Sequence, residues 1–469
     1  MIDSYFTGFY DNVFPDKRID KRVEKISQEL VHFGSAIVNV ASSSHTSKTG
    51  FYRFLMNKRA DYTNILAGSF RKCRENIDQE HVLCIQDTTE FNYASTAAKL
   101  ENDPDIGPTT KKEVAGLFCH PTIVCDTEGK TIYGLASASI YNRGWRQKDK
   151  YQRAYKTLPI DQKESFRWLE SARLSRKRLP ENVALTIIGD RESDIYDEFA
   201  EVTSYPKTEV LVRSRTDRNI VGGSGKLYNE LENQPVSETY SLQLPSNKSR
   251  DKRLAKMEVR FCKVKVKAPL RYTGSQKSIS LYAVEAREVT PEVPAGQDRV
   301  LWRLLTTHAV EDANKALQCI QWYKNRWLIE ELFRVIKSKG FRIESSQLGS
   351  GAAIKKLTAL VLEAALHTMR LKLALQKKDQ DKASLIFNQK QLALLSILLK
   401  KVEGKTAKQK NPYIKDTLAW AAWIIARLGK WTGYKSHGPP GYITMKNGYD
   451  KFNSQFEVFE LLSKDVYKD

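Results

Sequence analysis

Two short apolar runs, each closed by an aspartate, constrain this chain more than anything else in it. His81 to Asp87 reads HVLCIQD, and Val183 to Asp190 reads VALTIIGD. Runs of this length and composition read as strands, and each would deliver a carboxylate at its C-terminal end. Between them, HPTIVCDTEGKTIYGLASASI (His120 to Ile140) reads as two strands joined by a turn at Asp126 to Gly129, and SFRWLESARLSRKRL (Ser165 to Leu179) as a helix. After Asp190, ESDIYDEFAEV (Glu192 to Val202) reads as helical, and TEVLVRSR (Thr208 to Arg215) as a strand ending in cations.

A second feature lies far downstream. Tyr323 to Lys337 reads YKNRWLIEELFRVIK; counted from Tyr323, Arg326 lies three residues on, Glu330 seven and Lys337 fourteen. In one continuous helix at about 100° per residue these four fall within roughly 60° of one another. Leu317, Leu328 and Val335 point the opposite way. One face would pack, and the other would present a carboxylate flanked by cations and a phenol. A metal-binding carboxylate beside a polyanion fits that face.

Charge points the same way. Lys plus Arg number 76 and Asp plus Glu 55, a formal net charge of +21. Such an excess suggests a polyanionic partner, and nucleic acid comes first because neutralised phosphates release condensed counterions. A merely basic soluble enzyme is the alternative. A membrane partner is disfavoured: the best apolar stretch, Leu418 to Ile425, is shorter than the ~18 residues a span needs and is followed by Arg427. The N-terminus has no basic region leading into an apolar core, so no signal peptide is read. The 6 cysteines are scattered with no Cys-x-x-Cys, against zinc and against a disulfide framework. No Ser-His-Asp or Cys-His arrangement and no P-loop stands out, so ATP is not expected. A reducing cytoplasm is the simplest compartment.

The flanks differ from the centre. Residues 1–70 read as a helical module: Ile19, Val23, Ile26 and Leu30 recur at helical spacing among Lys17, Arg18, Lys21, Arg22 and Lys25. A polar link (Ser42 to Gly50) then leads to FYRFLMNKR, which carries Arg53, Lys58 and Arg59. Helix, turn and basic helix make a plausible DNA-reading unit, with a basic solvated bundle as the alternative. From about 220 to 300 the chain turns β-like, as in VRFCKVKVK (Val259 to Lys267) and SISLYAVEA (Ser278 to Ala286), with Ser246 to Arg253 read as a loop. VLWRLLTT (Val300 to Thr307) brings the chain back to the central sheet. Residues 351–469 read as helical throughout, with a last helix over about Tyr449 to Tyr467.

The order strand, hairpin, helix, strand, helix, strand, and later a helix bearing Glu330, could assemble an α/β fold with an RNase H-like catalytic core (71–350), a β-rich insertion at about 220–300, and helical N- and C-terminal domains. Asp87 and Asp190 would end adjacent strands and Glu330 would approach from a helix. Three carboxylates converging there could hold two Mg²⁺ ions, with Mn²⁺ able to substitute, for in-line phosphoryl chemistry. Hard oxygen ligands suit these ions rather than zinc.

At this point the residues resemble a known family, the bacterial cut-and-paste DDE transposases of the insertion-sequence-four family. Its Tyr-x2-Arg-x3-Glu-x6-Lys pattern is met at Tyr323, Arg326, Glu330 and Lys337. Its Asp-Thr-Thr is met at Asp87, Thr88 and Thr89, and its Asp-Arg-Glu-x-Asp at Asp190, Arg191, Glu192 and Asp194. Tyr52, Arg53 and Phe54 match its N-terminal Tyr-Arg-Phe, and Ile425 to Gly429 its C-terminal Ile-Ala-Arg-Leu-Gly. The likeness covers nearly the whole chain in order. It implies Asp87, Asp190 and Glu330 as catalytic metal ligands. It also implies a nick at the transposon end, attack of the freed 3′-hydroxyl on the opposite strand to form a hairpin, hairpin opening by water, and joining to target DNA. Trp302 would receive a base flipped out of the stack. Tyr323, Arg326 and Lys337 would hold phosphates around the bend, and Arg213 would contact DNA nearby. Arg334 and Ile336 depart from the pattern, where relatives carry Lys and an aromatic, and this bears on end-sequence preference. The partners implied are transposon-end DNA, target DNA and a second protomer in a homodimeric synaptic complex, with the mobile element's bacterial nucleoid as the setting.

Blander readings stand beside these. Trp302 could be a core tryptophan, and Tyr323 with Arg326 a solvated helix face. Glu331 rivals Glu330 but lies about 100° off the stripe, where pairing with a cation is expected. His120 reads as a satisfied structural histidine, and Glu192 and Asp194 as acids supporting the site rather than ligands. The rival functions are a catalytically inactive end-binding inhibitor of transposition and another RNase H-like DNA nuclease.

Overall fold

The computed structural model describes residues 5–111, 114–145, 158–244, 251–294, 296–338, 340–375, 381–434 and 437–465. Three helices come first: α1 (Lys17–Phe33), α2 (His45–Met56) and α3 (Tyr62–Asn76). The central region runs β1 (His81–Gln86), β2 (Thr89–Asn92), β3 (Gly107–Pro108), β4 (Ala115–Asp126), β5 (Ile132–Tyr141), α4 (Phe166–Arg178), β6 (Ala184–Gly189), α5 (Tyr196–Val202) and β7 (Thr208–Arg213). Next come α6 (Leu227–Glu232), β8 (Glu238–Leu244), β9 (Arg253–Lys267), β10 (Ser278–Glu288) and β11 (Leu301–Thr306). Helices close the chain: α7 (Ala313–Lys324), α8 (Trp327–Lys337), α9 (Gly351–Ala374), α10 (Gln389–Val402), α11 (Leu418–Leu428) and α12 (Tyr442–Asp465).

The apolar runs of β1 and β6 do not alternate because both faces of the sheet are covered. Val82, Cys84, Leu185 and Ile187 belong to one buried cluster, while Leu83, Ile85 and Ile188 belong to the other. Fully burying each such side chain contributes about 1.5–3 kcal/mol. β1 pairs parallel with β6, and β6 parallel with β7. On its other edge β1 pairs antiparallel with β4, which pairs with β5. Antiparallel strands on one side of β1 and parallel ones on the other are consistent with an RNase H-like arrangement. The insertion extends the same sheet: β11 pairs antiparallel with β7, and β10, β9 and β8 follow in turn. β11 thus returns the chain to the central sheet.

β1 and β2 share one edge of β4. The pairs Gln86↔Thr122 and Thr89↔Cys119 keep a single register, but no ladder pair joins Asp87 and Thr88 to β4. By that register Asp87 stands opposite Pro121, which has no amide hydrogen to donate. The backbone is thereby released from the sheet where the first acid projects.

α9 is buried all round, from Ala359 to Leu366, as suits a helix at the centre of a large fold. It packs against α1, α2, α3, α8, α11, α12 and β5. Apolar side chains of α1 to α3 therefore share one core with the sheet and α9. Among the described residues no helix is long and apolar enough to cross a membrane.

Three sequence expectations shift. The polar link before α2 is partly helix, because the Ser44 hydroxyl caps it by accepting from the Ser47 amide at 3.1 Å. The last helix starts at Tyr442 rather than near Tyr449, and residues 466–467 of that expectation lie outside the described residues, as do 246–250 of the expected loop. The expected single helix from Tyr323 to Lys337 is two, α7 and α8. At the joint the amides of Asn325 and Arg326 bond three residues back, to Trp322 and Tyr323, each at 3.0 Å. The Asn325 side chain donates to the Thr127 carbonyl at 3.1 Å, docking the joint on the β4–β5 turn. Gly129 in that turn has φ +70, and a Cβ there would lie 2.6 Å from the Asn325 side chain, so glycine is required twice over.

Candidate active site

The parallel ladder between β1 and β6 ends at Ile85↔Ile188. Two residues past that pair, on each strand, come Asp87 and Asp190. Neighbouring strands lie about 4.8 Å apart, so the register sets the two acids side by side at the C-terminal edge. The Asp87 carboxylate accepts from the Thr88 amide at 2.7 Å. Asp190 caps the following turn, accepting from the Glu192 amide at 2.7 Å.

Glu330 comes from the first turn of α8, which packs against β1. It meets Asp87 through a shared cation. The Arg326 guanidinium donates to Asp87 Oδ2 at 3.2 Å and also to Glu330 Oε1. Asp87 is 18 % exposed and Glu330 33 %. Burial lifts the Asp87 carboxyl to about 7, and the charges of Asp190 and Glu330 add to the rise, against the Thr88 amide and Arg326. The acid therefore sits where negative charge is undercompensated.

The expected closed cluster is not formed. Among the described residues no three metal-binding side chains lie close enough to hold one ion; Arg326 stands between Asp87 and Glu330 instead. The donor set still fits a hard divalent cation, being all carboxylate oxygen, and the strain on Asp87 is of the sign a cation relieves.

The remaining expected residues divide. Tyr323 is buried, with its ring 5.9 Å from the Arg326 guanidinium, and packs edge-on against Trp302 at 6.1 Å between centroids. Trp302 is half-buried on β11, opposite Ala286. Arg213, at the end of β7, donates to the Leu301 carbonyl at 2.9 Å and so lies against the base of the same strand. These residues come together. Lys337 does not join them: two turns beyond Glu330, its ammonium lies 5.6 Å from the Phe91 ring. Arg334 turns away as well, paired with Glu331 and 5.4 Å from the Trp327 ring. Glu331 is thus paired with a cation, away from the acids. Arg53, Lys58 and Arg59 are exposed on and just after α2. Arg53 lines a cavity of about 530 Å³ with Arg18, Arg22 and His45. A larger cavity, about 800 Å³, opens at the opposite end of β1 and β6, lined by His81, His308 and Trp322.

The sequence reading missed a set of buried polar side chains behind the acids. His120 is satisfied, between Thr88 and Gln86, as expected of a structural histidine. Gln86 also bonds Glu198, and Glu198 bonds Ser193. Signals existed: Gln86 is the one amide in an otherwise apolar run, and Glu198 stands at helical spacing from Ile195 and Val202.

An RNase H-like sheet thus carries acids at the ends of two adjacent strands, with a third acid on a helix packed against it. Residues 186–366 match the family model for the transposase DDE domain. The matched stretch takes in Asp190, Trp302, Tyr323, Arg326 and Glu330 and begins after Asp87. This similarity supports transposase activity of the DDE type.

Proposed function

We propose that the protein is a cut-and-paste DDE transposase of the insertion-sequence-four family, of the kind the transposon-five transposase represents. Asp87, Asp190 and Glu330 would be its catalytic carboxylates. The observation that carries the reading is the matched register that ends two parallel strands on Asp87 and Asp190, with Glu330 joined to Asp87 through Arg326.

The three acids would hold the divalent cations, Mg²⁺ or Mn²⁺. Bound there, such ions activate an attacking hydroxyl and offset charge on the leaving oxygen. Arg326 neutralises two of the acids in the free protein, and a scissile phosphate would compete for it. Tyr323 and Trp302 form an aromatic wall beside Arg326, suited to receiving a base unstacked at a hairpin bend, where unstacking costs a few kcal/mol. Arg213 would contact DNA beside that wall. Lys337 and Arg334 would meet DNA farther along α8, and Arg53, Lys58 and Arg59 would read the transposon end from α2. We assign end binding to residues 1–70, catalysis to 71–350 and pairing of protomers to 351–469. Target DNA and a second protomer complete the synaptic complex, acting at the bacterial nucleoid.

The test is incubation with the DNA flanking the coding sequence, with Mg²⁺, followed by a denaturing gel. A nick at the element end, then a hairpin species, both lost on chelation, are expected. Binding without cleavage would replace this reading with an end-binding inhibitor. Cleavage indifferent to the end sequence, with no hairpin, would indicate a nuclease.

A further inference from the structure

Past Ile85↔Ile188 no backbone pairing joins β1 to β6, yet two like charges must be held side by side just beyond that point. A ring of side chains spans the gap. Gln86 Nε2 donates to Glu198 Oε1 at 3.0 Å, and Ser193 Oγ donates to Glu198 Oε2 at 2.7 Å. On the other side of Gln86, His120 bridges its amide oxygen (3.2 Å) to the Thr88 hydroxyl (2.8 Å). Arg167, from α4, donates to Thr88 Oγ1 and to Glu192 Oε2, each at 2.8 Å. The peptide link from Glu192 to Ser193 closes the circuit.

One assignment satisfies every member. Arg167 donates to Thr88, Thr88 to His120 Nδ1, His120 Nε2 to Gln86, and Gln86 to Glu198. This requires a neutral imidazole. Burial, with a smaller push from Arg167, holds His120 well below its ordinary value, which agrees. Gln86, Ser193 and Glu198 are fully buried and His120 nearly so. A buried network of this kind is rigid only if complete. Its membership is specific: Gln86 and Thr88 flank Asp87 in the chain, and Glu192 and Ser193 follow closely on Asp190. Buried polar side chains that served packing alone would have no reason to converge on both sets of neighbours.

We propose that Glu198 is a positioning residue: by bonding Gln86 and Ser193 at once it fixes the separation at which Asp87 and Asp190 share a divalent cation. This rests on the metal-dependent function proposed above. Groups that orient metal ligands from behind influence affinity about 10–100-fold, and that is the expected size of the effect.

The test titrates the full-length protein with Mn²⁺ alone, by calorimetry, and records a thermal melt for each variant. Glu198→Ala should weaken Mn²⁺ binding about 10–100-fold. Glu198→Gln should recover most of it, because the amide oxygen still accepts from Gln86 and the amide nitrogen can donate to the Ser193 hydroxyl. Ser193→Ala removes one of the two links and should fall between. A lowered melting temperature with unchanged Mn²⁺ affinity in Glu198→Ala would reduce the residue to a structural one and overturn the inference. If that variant does not fold, unchanged affinity in Ser193→Ala does the same. Asp87→Ala separates the two levels: Mn²⁺ binding that survives it would overturn the metal site itself, and this inference with it.

Discussion

At the β10 end of the sheet, Glu285 lies directly opposite Arg260 on β9 and Arg303 on β11, with Arg287 two residues along its own strand. Its carboxylate is wholly buried; Arg303 Nε donates at 2.7 Å and Arg287 Nε at 2.9 Å, while Arg260 stands 3.8 Å away. Glu232 ties Arg287 and Arg303 together from α6. At the β1 end, among the described residues, Asp87 shares one arginine with Glu330 and faces the charge of Asp190 as well. The same sheet therefore surrounds one acid with cations and leaves another short of them. Surplus cations mark an acid that holds an insertion together. A deficit, on the function proposed above, suits an acid whose charge a bound metal ion would offset.

The largest effect expected from this contrast is on chemistry. Glu330→Ala should reduce cleavage of end DNA to background in Mg²⁺ while gel-shift binding of the same DNA is retained. Retained cleavage would remove Glu330 from the site and leave Glu331, already paired with Arg334, as a poor substitute.

The next tests stability at both ends. Glu285→Ala leaves arginines gathered around a lost carboxylate and should destabilise by on the order of 3 kcal/mol. Cleavage per folded molecule should be unaffected. Asp87→Asn should do the reverse, leaving the melting temperature level or raised while abolishing cleavage, because it removes a charge that its neighbours repel. Equal losses of stability from the two substitutions, by thermal melt, would erase the distinction between these regions.

A smaller effect is expected at the aromatic wall. Base–aromatic stacking is worth about 1–3 kcal/mol, so Trp302→Ala should slow hairpin formation roughly 5- to 150-fold and spare the first nick. Nicking and hairpin formation read from one denaturing time course decide it. Equal loss of both steps would return Trp302 to the role of a packing residue against Tyr323.

What could be read in the sequence follows from how each element is held. β1 and β6 were legible, with their terminal acids, because strands covered on both faces have unbroken apolar runs. The division of Tyr323 to Lys337 was not. Asn325 and Arg326 keep right-handed helical dihedrals with no glycine or proline to mark a break, and the joint is set by Asn325 reaching Thr127, nearly 200 positions away. Lys337 and Arg334 stand apart from the acids for a similar reason. A helical wheel gives direction, but Phe91 and Glu331 decide where those side chains lie. The ring around Glu198 draws its members from β1, β4, α4 and α5, so no local pattern announces it.

Glu198 also sharpens the contrast, since it is a buried acid with no cation paired to it among the described residues. Burial raises its carboxyl to about 8, against the hydrogen bonds from Ser193 and Gln86 that lower it. The folded protein thus keeps a proton, which Glu198 Oε2 donates to Ser193 Oγ by reversing the same 2.7 Å bond, whereas the unfolded chain gives it up near its ordinary value of 4.5. Because the folded state binds more protons between those limits, stability should fall as pH rises from about 4.5 to about 8, and level off above. Glu198→Gln cannot titrate. Its melting temperature relative to wild type should climb steadily across that window, by no more than about 1.4 kcal/mol of relative stability per pH unit. Any fixed penalty from the amide shifts the whole curve without changing its slope. A difference that stays flat from pH 5 to pH 8 would mean that Glu198 is ionised in the folded protein. Glu198 would then be a buried acid that tolerates its charge, held by donors from Gln86 and Ser193 rather than by arginine as Glu285 is.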